Sequence, residues 1–428
     1  SLANPAPHPV DGVVVVDAPS LVGDPACQVL GDGRVAAVVS LPALAVTIAD
    51  PLDLAHPPVQ VSATTLDNGL LRVTLDEQGL IVSIIDVEEG REIVAPGTRA
   101  NLLQLHQDLP NEYDAWDIEE FYRKQVVDLD AVDTVEVLDR GPLIGRVQVT
   151  RTFRSSSVTQ VLELRAGSRR LDVVCDVDWH EHEQMLKVAF PVDVHADEVT
   201  REIQFGHLRS PIHTNTSWDA ARFEVCAHRW IDVAEPGYGI ALLNDCKYGH
   251  DITRTRSEGP DGEVPTTTLR LTLLRGARYP DPEQDQGRHR FTYSLLPHTG
   301  SLSQAGVVAA GYRLNCPVRV VEPLRADERS GRLVDGGASV VTSDHPGVVV
   351  ETVKAADDGG GDLIVRCYEA WGGRARAQLG FGFDVADVRV VDARERPGGA
   401  ASALVGNGPA VEIVVRPFQI LTLRVTPR

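Results

Sequence analysis

Residues 171–179 read LDVVCDVDW. Leu171, Val173, Cys175, Val177 and Trp179 take every second position, and Asp172, Val174, Asp176 and Asp178 fill the gaps. Successive side chains of a strand point to opposite faces, so this spacing predicts a strand with one buried and one wetted side. The same period returns in Leu269, Leu271 and Leu273 against Arg270 and Thr272. It returns again in His289, Phe291, Tyr293 and Leu295 against Arg290, Thr292 and Ser294. LLRVTL, DEQG and LIVSIID (70–86) predict two strands joined by a four-residue turn, and PFQILTLRV (417–425) predicts the last strand. Helical periodicity is sustained over three turns nowhere. The expected fold class is all-β: antiparallel β-sandwich domains, a large supersandwich flanked by smaller β domains.

A chain of 428 residues is too long for one core and predicts two or three domains. Residues 1–55 form a small β domain, with GVVVVDA, ACQVLGDG and RVAAVVSL as its strands, closing at the proline-rich PLDLAHPPVQ. Residues 56–305 carry a long series of strands and form the large β-sandwich. HTGSLSQAGVVAAGYRLNCPVRVVEP (298–323) reads as a connector, and 306–428 form a C-terminal β-sandwich with turns at DDGGGD and RPGGAAS.

The formal charge of −20 argues against nucleic acid or an anionic membrane as partner, because phosphates would be repelled. No run of 18 apolar residues occurs, and the most apolar stretch, VAAVVSLPALAVTIAD (35–50), has a proline inside it, so no membrane span is expected. Six scattered cysteines without a CxxC pair suggest a reducing, cytoplasmic location, although their even number keeps disulfides open. No signal peptide is evident. The chain opens at Ser1 and its only methionine is Met185, which points to a processed product or an expressed fragment.

Phosphate-loop, nucleophile-elbow and dinucleotide motifs are missing. WHEHEQ (179–184) has a metal-like composition. In a strand its His180 and His182 would share one face with the acids on the other, which favours solvated strand-end residues over a metal site. His195-Ala196-Asp197 is too short to signify a metal, and Asn215-Thr216-Ser217 is a glycosylation sequon of no consequence in the cytoplasm. Residues 205–230 gather His207, His213 and His228 with Trp218, Trp230, Arg209, Arg222 and Arg229. Such a polar-aromatic segment is expected to cover a neighbouring domain, with ligand contact as the alternative.

NEYDAWDIEEFY (111–122) sets Asp114, Asp117, Glu119 and Glu120 among Tyr113, Trp116, Phe121 and Tyr122, just after Pro110. Aromatic faces beside carboxylates suit sugars, because rings stack on C–H faces while acids accept hydroxyl hydrogen bonds. Asp114 and Asp117 could also serve as a glycosidic acid pair, if splayed about 5 Å apart for retention or about 6.5–9.5 Å for inversion. The third option is a loop that its tyrosine and tryptophan simply anchor to the sandwich.

Five blocks, in order, carry a resemblance: LPNEYDAWDIEEFY, EIQFGHLRSPIHTNTSWDAARFEVCAHRW, EPGYGIALLNDCKYGHDI, LRLTLLRGARYPDPEQDQGRHRFTYSLLPH and LIVRCYEAWGG. Together they resemble the C-terminal half of the glycoside hydrolase family 38 α-mannosidases, in the cytosolic (vacuolar-type) and bacterial subgroup, from about residue 10 to 425. The resemblance implies β-sandwich domains that follow an N-terminal seven-stranded α/β catalytic barrel, with residues 1–55 as the end of the family's central region. It also implies that the barrel holds a zinc site of His and Asp, an Asp nucleophile and an acid/base carboxylate, and hydrolyses α-mannosides with retention. None of those barrel motifs occurs in this chain, and His195-Ala196-Asp197 is not their counterpart. The expectation is therefore a non-catalytic C-terminal part, with no catalytic residue, metal ligand or cofactor of its own. Zinc is expected only in the full-length enzyme. By block position Tyr113, Asp114, Trp116 and Asp117 are expected to face sugar, and His207, Trp218, Arg222, His228 and Trp230 to face the barrel. The expected partners are that barrel, an α-mannoside substrate and a second copy of the chain in a homo-oligomer. The alternative is an independent carbohydrate-binding sandwich without hydrolytic activity.

Overall fold

The computed structural model describes residues 1–47, 50–259, 262–321, 338–398, 404–405 and 410–428. Strand Leu171–Trp179 lies fourth in a nine-stranded antiparallel sheet. Across that sheet run Thr134–Arg140, Ile144–Phe153, Ser156–Arg165, Leu171–Trp179, Gly287–Thr299, Tyr238–Asn244, Trp230–Glu235, Glu198–Ile203 and Gly206–Pro211. A second, six-stranded sheet runs Val126–Asp128, Leu102–Gln107, Gln184–Val192, Gly262–Arg275, Gly249–Gly259 and Val225–Cys226. The alternating apolar set fills the space between them: Val173, Cys175 and Trp179 share one core with Val188, Phe190, Leu269 and Leu271. The Phe190 and Tyr293 rings, one from each sheet, meet edge to face with centroids 5.9 Å apart.

The predicted hairpin of 70–86 is present as Leu71–Leu75 paired with Ile81–Asp86, inside a five-stranded sheet that closes one end of this core. Near the N-terminus Val10–Val16, Val35–Leu41 and Cys27–Val29 make a small sheet with its own apolar cluster. Strand Leu2–Asn4 pairs with both Ala45–Thr47 and Arg319–Val320. The C-terminal region packs two four-stranded sheets face to face around Val365, Leu379, Ile413 and Leu423. The last strand is Ile420–Pro427, and the RPGGAAS turn lies partly outside the described residues.

The structure adds detail at the connector and corrects two local expectations. The connector is helical: Ser301 and Gln304 form a capping box that starts Leu302–Ala305, and Val307–Asn315 follows. That helix buries Val307, Val308 and Tyr312 in a third core between Trp230 and Leu243 of the large sandwich and Val349 and Tyr368 of the C-terminal one. Residues 180–183 are a turn that carries the chain from one sheet to the other, since the strands end at Trp179 and restart at Gln184. His195-Ala196-Asp197, which the surrounding pattern places in a strand of the sandwich region, lies instead in a loop between strands Gln184–Val192 and Glu198–Ile203.

Candidate functional site

Strand Leu102–Gln107 ends at the edge of the six-stranded sheet and releases the acidic-aromatic segment, which rejoins the sheet at Val126–Asp128. Tyr113 takes a left-handed conformation (φ 56°), and its carbonyl accepts from the amides of Trp116 at 2.7 Å and Asp117 at 2.9 Å. This turn aims the Asp114 carboxylate at a second loop, where Oδ2 accepts the backbone N–H groups of Arg278 at 2.6 Å and Tyr279 at 3.0 Å. Arg275 completes the fastening. Its Nε donates to Asp108 at 2.6 Å, and its Nη2 donates to the carbonyls of Asp114 at 3.2 Å and Asp117 at 2.8 Å. The Asp117 carboxylate accepts from the amide of Ile118 at 2.8 Å. Both aspartates therefore shape the loop, and the rings are left outside: Tyr113 is 66% exposed, Trp116 68% and Tyr279 67%. Trp116 and Tyr279 meet edge to face with centroids 6.5 Å apart.

The end of the segment does the opposite. Residues Glu120–Lys124 form a 3-10 turn that buries Tyr122 over the outer face of the six-stranded sheet. The Tyr122 hydroxyl lies 2.9 Å from a carboxylate oxygen of Glu224 and 2.9 Å from one of Asp251. Lys187, fully buried, sits 4.5 Å from the Tyr122 ring centroid, with Nζ 2.6 Å from Glu224 and 3.3 Å from Asp251. Arg270 reaches Asp251 at 3.1 Å, and Thr272 donates to Glu224 at 2.7 Å. Strand register makes this cluster: Gln104 pairs with Lys187, Lys187 with Thr272, and Arg270 with Asp251. Burial works to raise the Asp251 pKa, but Lys187, Arg270 and Arg123 outweigh it and hold the carboxyl well below its usual range. Burial, with the Glu224 and Asp251 charges, raises the Tyr122 phenol far above its ordinary value, so it stays a neutral donor. Beside the cluster opens a cavity of about 390 Å³ lined by Gln104, His106, Arg123 and Arg270 among others.

The second dense segment divides in two. His207 and Trp230 face the C-terminal sandwich: the His207 ring meets Phe418 edge-on at 4.9 Å and its Nδ1 lies 3.3 Å from the Ala370 carbonyl. Trp230 is buried beneath the connector helix. Trp218 stands 79% exposed on the short helix Ser217–Ala220, with Arg222 paired to Asp219 at 3.5 Å. His228 stacks edge-on against Tyr248 at 5.5 Å. The interface these residues were expected to form with a barrel is, for His207 and Trp230, occupied by this chain's own C-terminal part.

Lys187, Glu224, Asp251 and Arg270 were not singled out in the sequence. One signal was present: Lys187 interrupts the apolar run of QMLKVAFPV, where a lone lysine demands a buried counter-charge. His180 pairs with Asp178 at 2.9 Å, and the His195 amide donates to Glu235. Among the described residues no three His, Cys, Asp or Glu side chains gather into a metal-binding group. No helix is long and apolar enough to cross a membrane among those residues.

Comparison with known proteins fits this architecture. The family profile "Glycosyl hydrolases family 38 C-terminal domain" matches residues 66–283, and "Glycosyl hydrolases family 38 C-terminal beta sandwich domain" matches 347–423. Alpha-mannosidase 2C1 of Homo sapiens is 39% identical over 368 residues, covering 84% of this chain and 33% of the relative. An alpha-mannosidase of Saccharomyces cerevisiae is 29% identical, over 76% of this chain and 31% of its own length. The chain thus spans about a third of the length of the curated relatives it matches. An Enterococcus faecalis alpha-mannosidase crystal structure superposes with a TM-score of 0.69 over 99% of this chain and 51% of that one, at 16% identity, which shows a shared fold. The larger profile match alone spans half of the sequence, and with it the chain belongs to glycosyl hydrolase family 38, as the C-terminal all-β part of an α-mannosidase-type protein.

Proposed function

We propose that this chain is the non-catalytic part of a zinc-dependent, retaining α-mannosidase, and that it packs against a catalytic barrel and completes its cleft. One observation carries the proposal: the chain matches the family's C-terminal profiles while spanning only a third of relatives named as α-mannosidases. In this reading zinc and the reacting carboxylates belong to the barrel, and no chemical step is assigned to this chain. What the chain supplies is a rigid aromatic edge. Asp114, Asp117 and Arg275 hold the 109–119 loop, leaving Tyr113 and Trp116 free to stack on a mannosyl unit beyond the bond that is cut. A reducing, cytoplasmic setting belongs to the same reading, from the six scattered cysteines without a CxxC pair.

The purified 428-residue chain is expected not to hydrolyse a chromogenic α-mannoside, with or without added zinc; turnover by this chain would overturn the proposal. In the full-length enzyme Trp116→Ala is expected to raise KM for an oligomannoside several-fold more than for the small chromogenic substrate, with kcat nearly unchanged. The exposed rings also favour a second reading, a sugar-binding module without an enzyme. Saturable calorimetric binding of short mannosides by the isolated chain would favour it.

A further inference from the structure

The polar face of the nine-stranded sheet holds a charged stripe unrelated to the loop. Register places Arg146 opposite Glu163, Glu163 opposite Asp172, and Asp172 opposite Ser294. Glu163 and Asp172 are buried, yet neither is short of partners. Glu163 is held by Arg146 and Arg165, each at 2.7 Å, and Asp172 by the Arg170 guanidinium at 2.6 and 2.9 Å. Burial acts to raise both carboxyls, but the arginines outweigh it and leave both below their ordinary values. This stripe is the floor of a cavity of about 640 Å³, walled by strand Val10–Val16 on one side and helix Val307–Asn315 on the other.

The lining is unlike the rest of the molecule. Seven arginines line the cavity against three carboxylates; six of the seven are paired with carboxylates, and Arg34, Arg146, Arg169 and Arg290 have partners outside the lining. Glu163 and Asp172 are used by the floor, and Asp11 on the wall accepts from the Ser40 hydroxyl at 2.6 Å. Arg313 of the helix has no hydrogen-bond or ion-pair partner among the described residues. Burial and the like charge of Arg170 lower its pKa, and Asp11 offsets only part of this. The Nη1 of Arg170 is also left over once its other nitrogens bind Asp172. Arg170 and Arg313 thus line one cavity, each with guanidinium nitrogens left to donate to an anion. Arginine forks match phosphate oxygens in geometry as well as charge.

We propose that this cavity is a binding site for a phosphorylated small molecule, its phosphate group held between Arg170 and Arg313. Ser168, Thr292 and Gln304 line the same space and offer hydroxyl and amide groups to the remainder of the ligand. The volume falls within the range of small-molecule sites, about 300–1,000 Å³. The site is independent of the sugar-facing loop, and its test reads binding rather than hydrolysis.

Calorimetry on the 428-residue chain at low ionic strength tests it, with inorganic phosphate, glucose 6-phosphate and uncharged glucose as probes. Saturable binding of a phosphate-bearing probe with Kd below about 1 mM is expected, and none of glucose. Tighter binding of glucose 6-phosphate than of phosphate identifies an ester as the natural class; equal affinity identifies free phosphate. Arg313→Gln removes no existing bond, so it is expected to keep the wild-type circular dichroism and Tm while weakening binding at least tenfold. Arg376→Gln, on the C-terminal sandwich, is expected to bind as wild type does. The proposal is overturned if neither phosphate probe saturates, if Arg313→Gln binds unchanged, or if the two variants lose affinity equally.

Discussion

Lys187 lies at the centre of a strand, has no water contact and stands between two carboxylates and a phenol. A buried ion pair adds little net stability when intact, because desolvation offsets most of the attraction; removing one member is costly, because the other is left charged and unpaired. Lys187→Met is therefore expected to lower the unfolding free energy at pH 7 by about 3–5 kcal/mol, measured by urea denaturation. Without the lysine, Asp251 loses the main influence that holds its pKa down, so the deficit should narrow as pH falls towards 4. A second titration belongs to His106 and His250, both buried and both lowered to about 4, burial being the main cause. The unfolded chain takes up these protons near pH 6.5, and the folded chain resists until about pH 4. Stability from this source is fully present above pH 6.5 and is lost as pH falls through that window. A Tm that declines from pH 7 to pH 5, and declines less in His250→Gln, is the expected result.

At the scale of elements, the loop and the connector helix give opposite lessons about exposure. Asp114→Ala removes the acceptor of two backbone N–H groups, while Arg275 still grips the loop by its carbonyls. Amide exchange at Arg278 and Tyr279 is expected to accelerate with little change in global Tm, as a local opening requires. In the helix, Gly311→Ala sets two forces against each other. Helix propensity favours alanine by about 1 kcal/mol, but its Cβ would lie 2.9 Å from Cδ1 of the buried Trp230. Overpacking of this kind costs about 1–3 kcal/mol, so net destabilisation is expected on thermal melting. The strands were legible beforehand because alternation is a local property: one buried face writes itself every second residue in 171–179 and 289–295. The helix was not. It has only nine residues, it includes a glycine, and its apolar side chains are divided between two neighbouring domains. The loop was conspicuous for its rings and acids, and the structure turns two of those acids, Asp114 and Asp117, to backbone amides. The Tyr122 cluster was hidden for a different reason: Lys187, Glu224 and Asp251 lie 65, 102 and 129 residues from Tyr122 along the chain, and strand register brings Lys187 and Asp251 to either side of the strand that carries Arg270 and Thr272.

Over the whole molecule, the question is whether two sandwiches behave as one body. Each has its own core, so each could in principle melt alone. What joins them is the third cluster, in which the connector helix lays Val307 and Tyr312 between Trp230 and Tyr368. Arg229 strengthens the joint. Its guanidinium lies 3.8 Å from the Tyr312 ring centroid, and Glu202 holds it at 3.0 Å. His207 and Phe418 add a second point of contact at its margin. A contact of this size and apolarity should couple the two units, giving a single calorimetric transition in the wild-type chain. Trp230→Ala empties the middle of the joint at a cost of about 3–5 kcal/mol, without touching the core of either sandwich. The transition is then expected to split, with the C-terminal sandwich melting first because its core is the smaller. A single transition that moves to lower temperature but keeps its shape would place the coupling elsewhere, in the strand pairing of Leu2–Asn4 with Arg319–Val320 rather than in the helix.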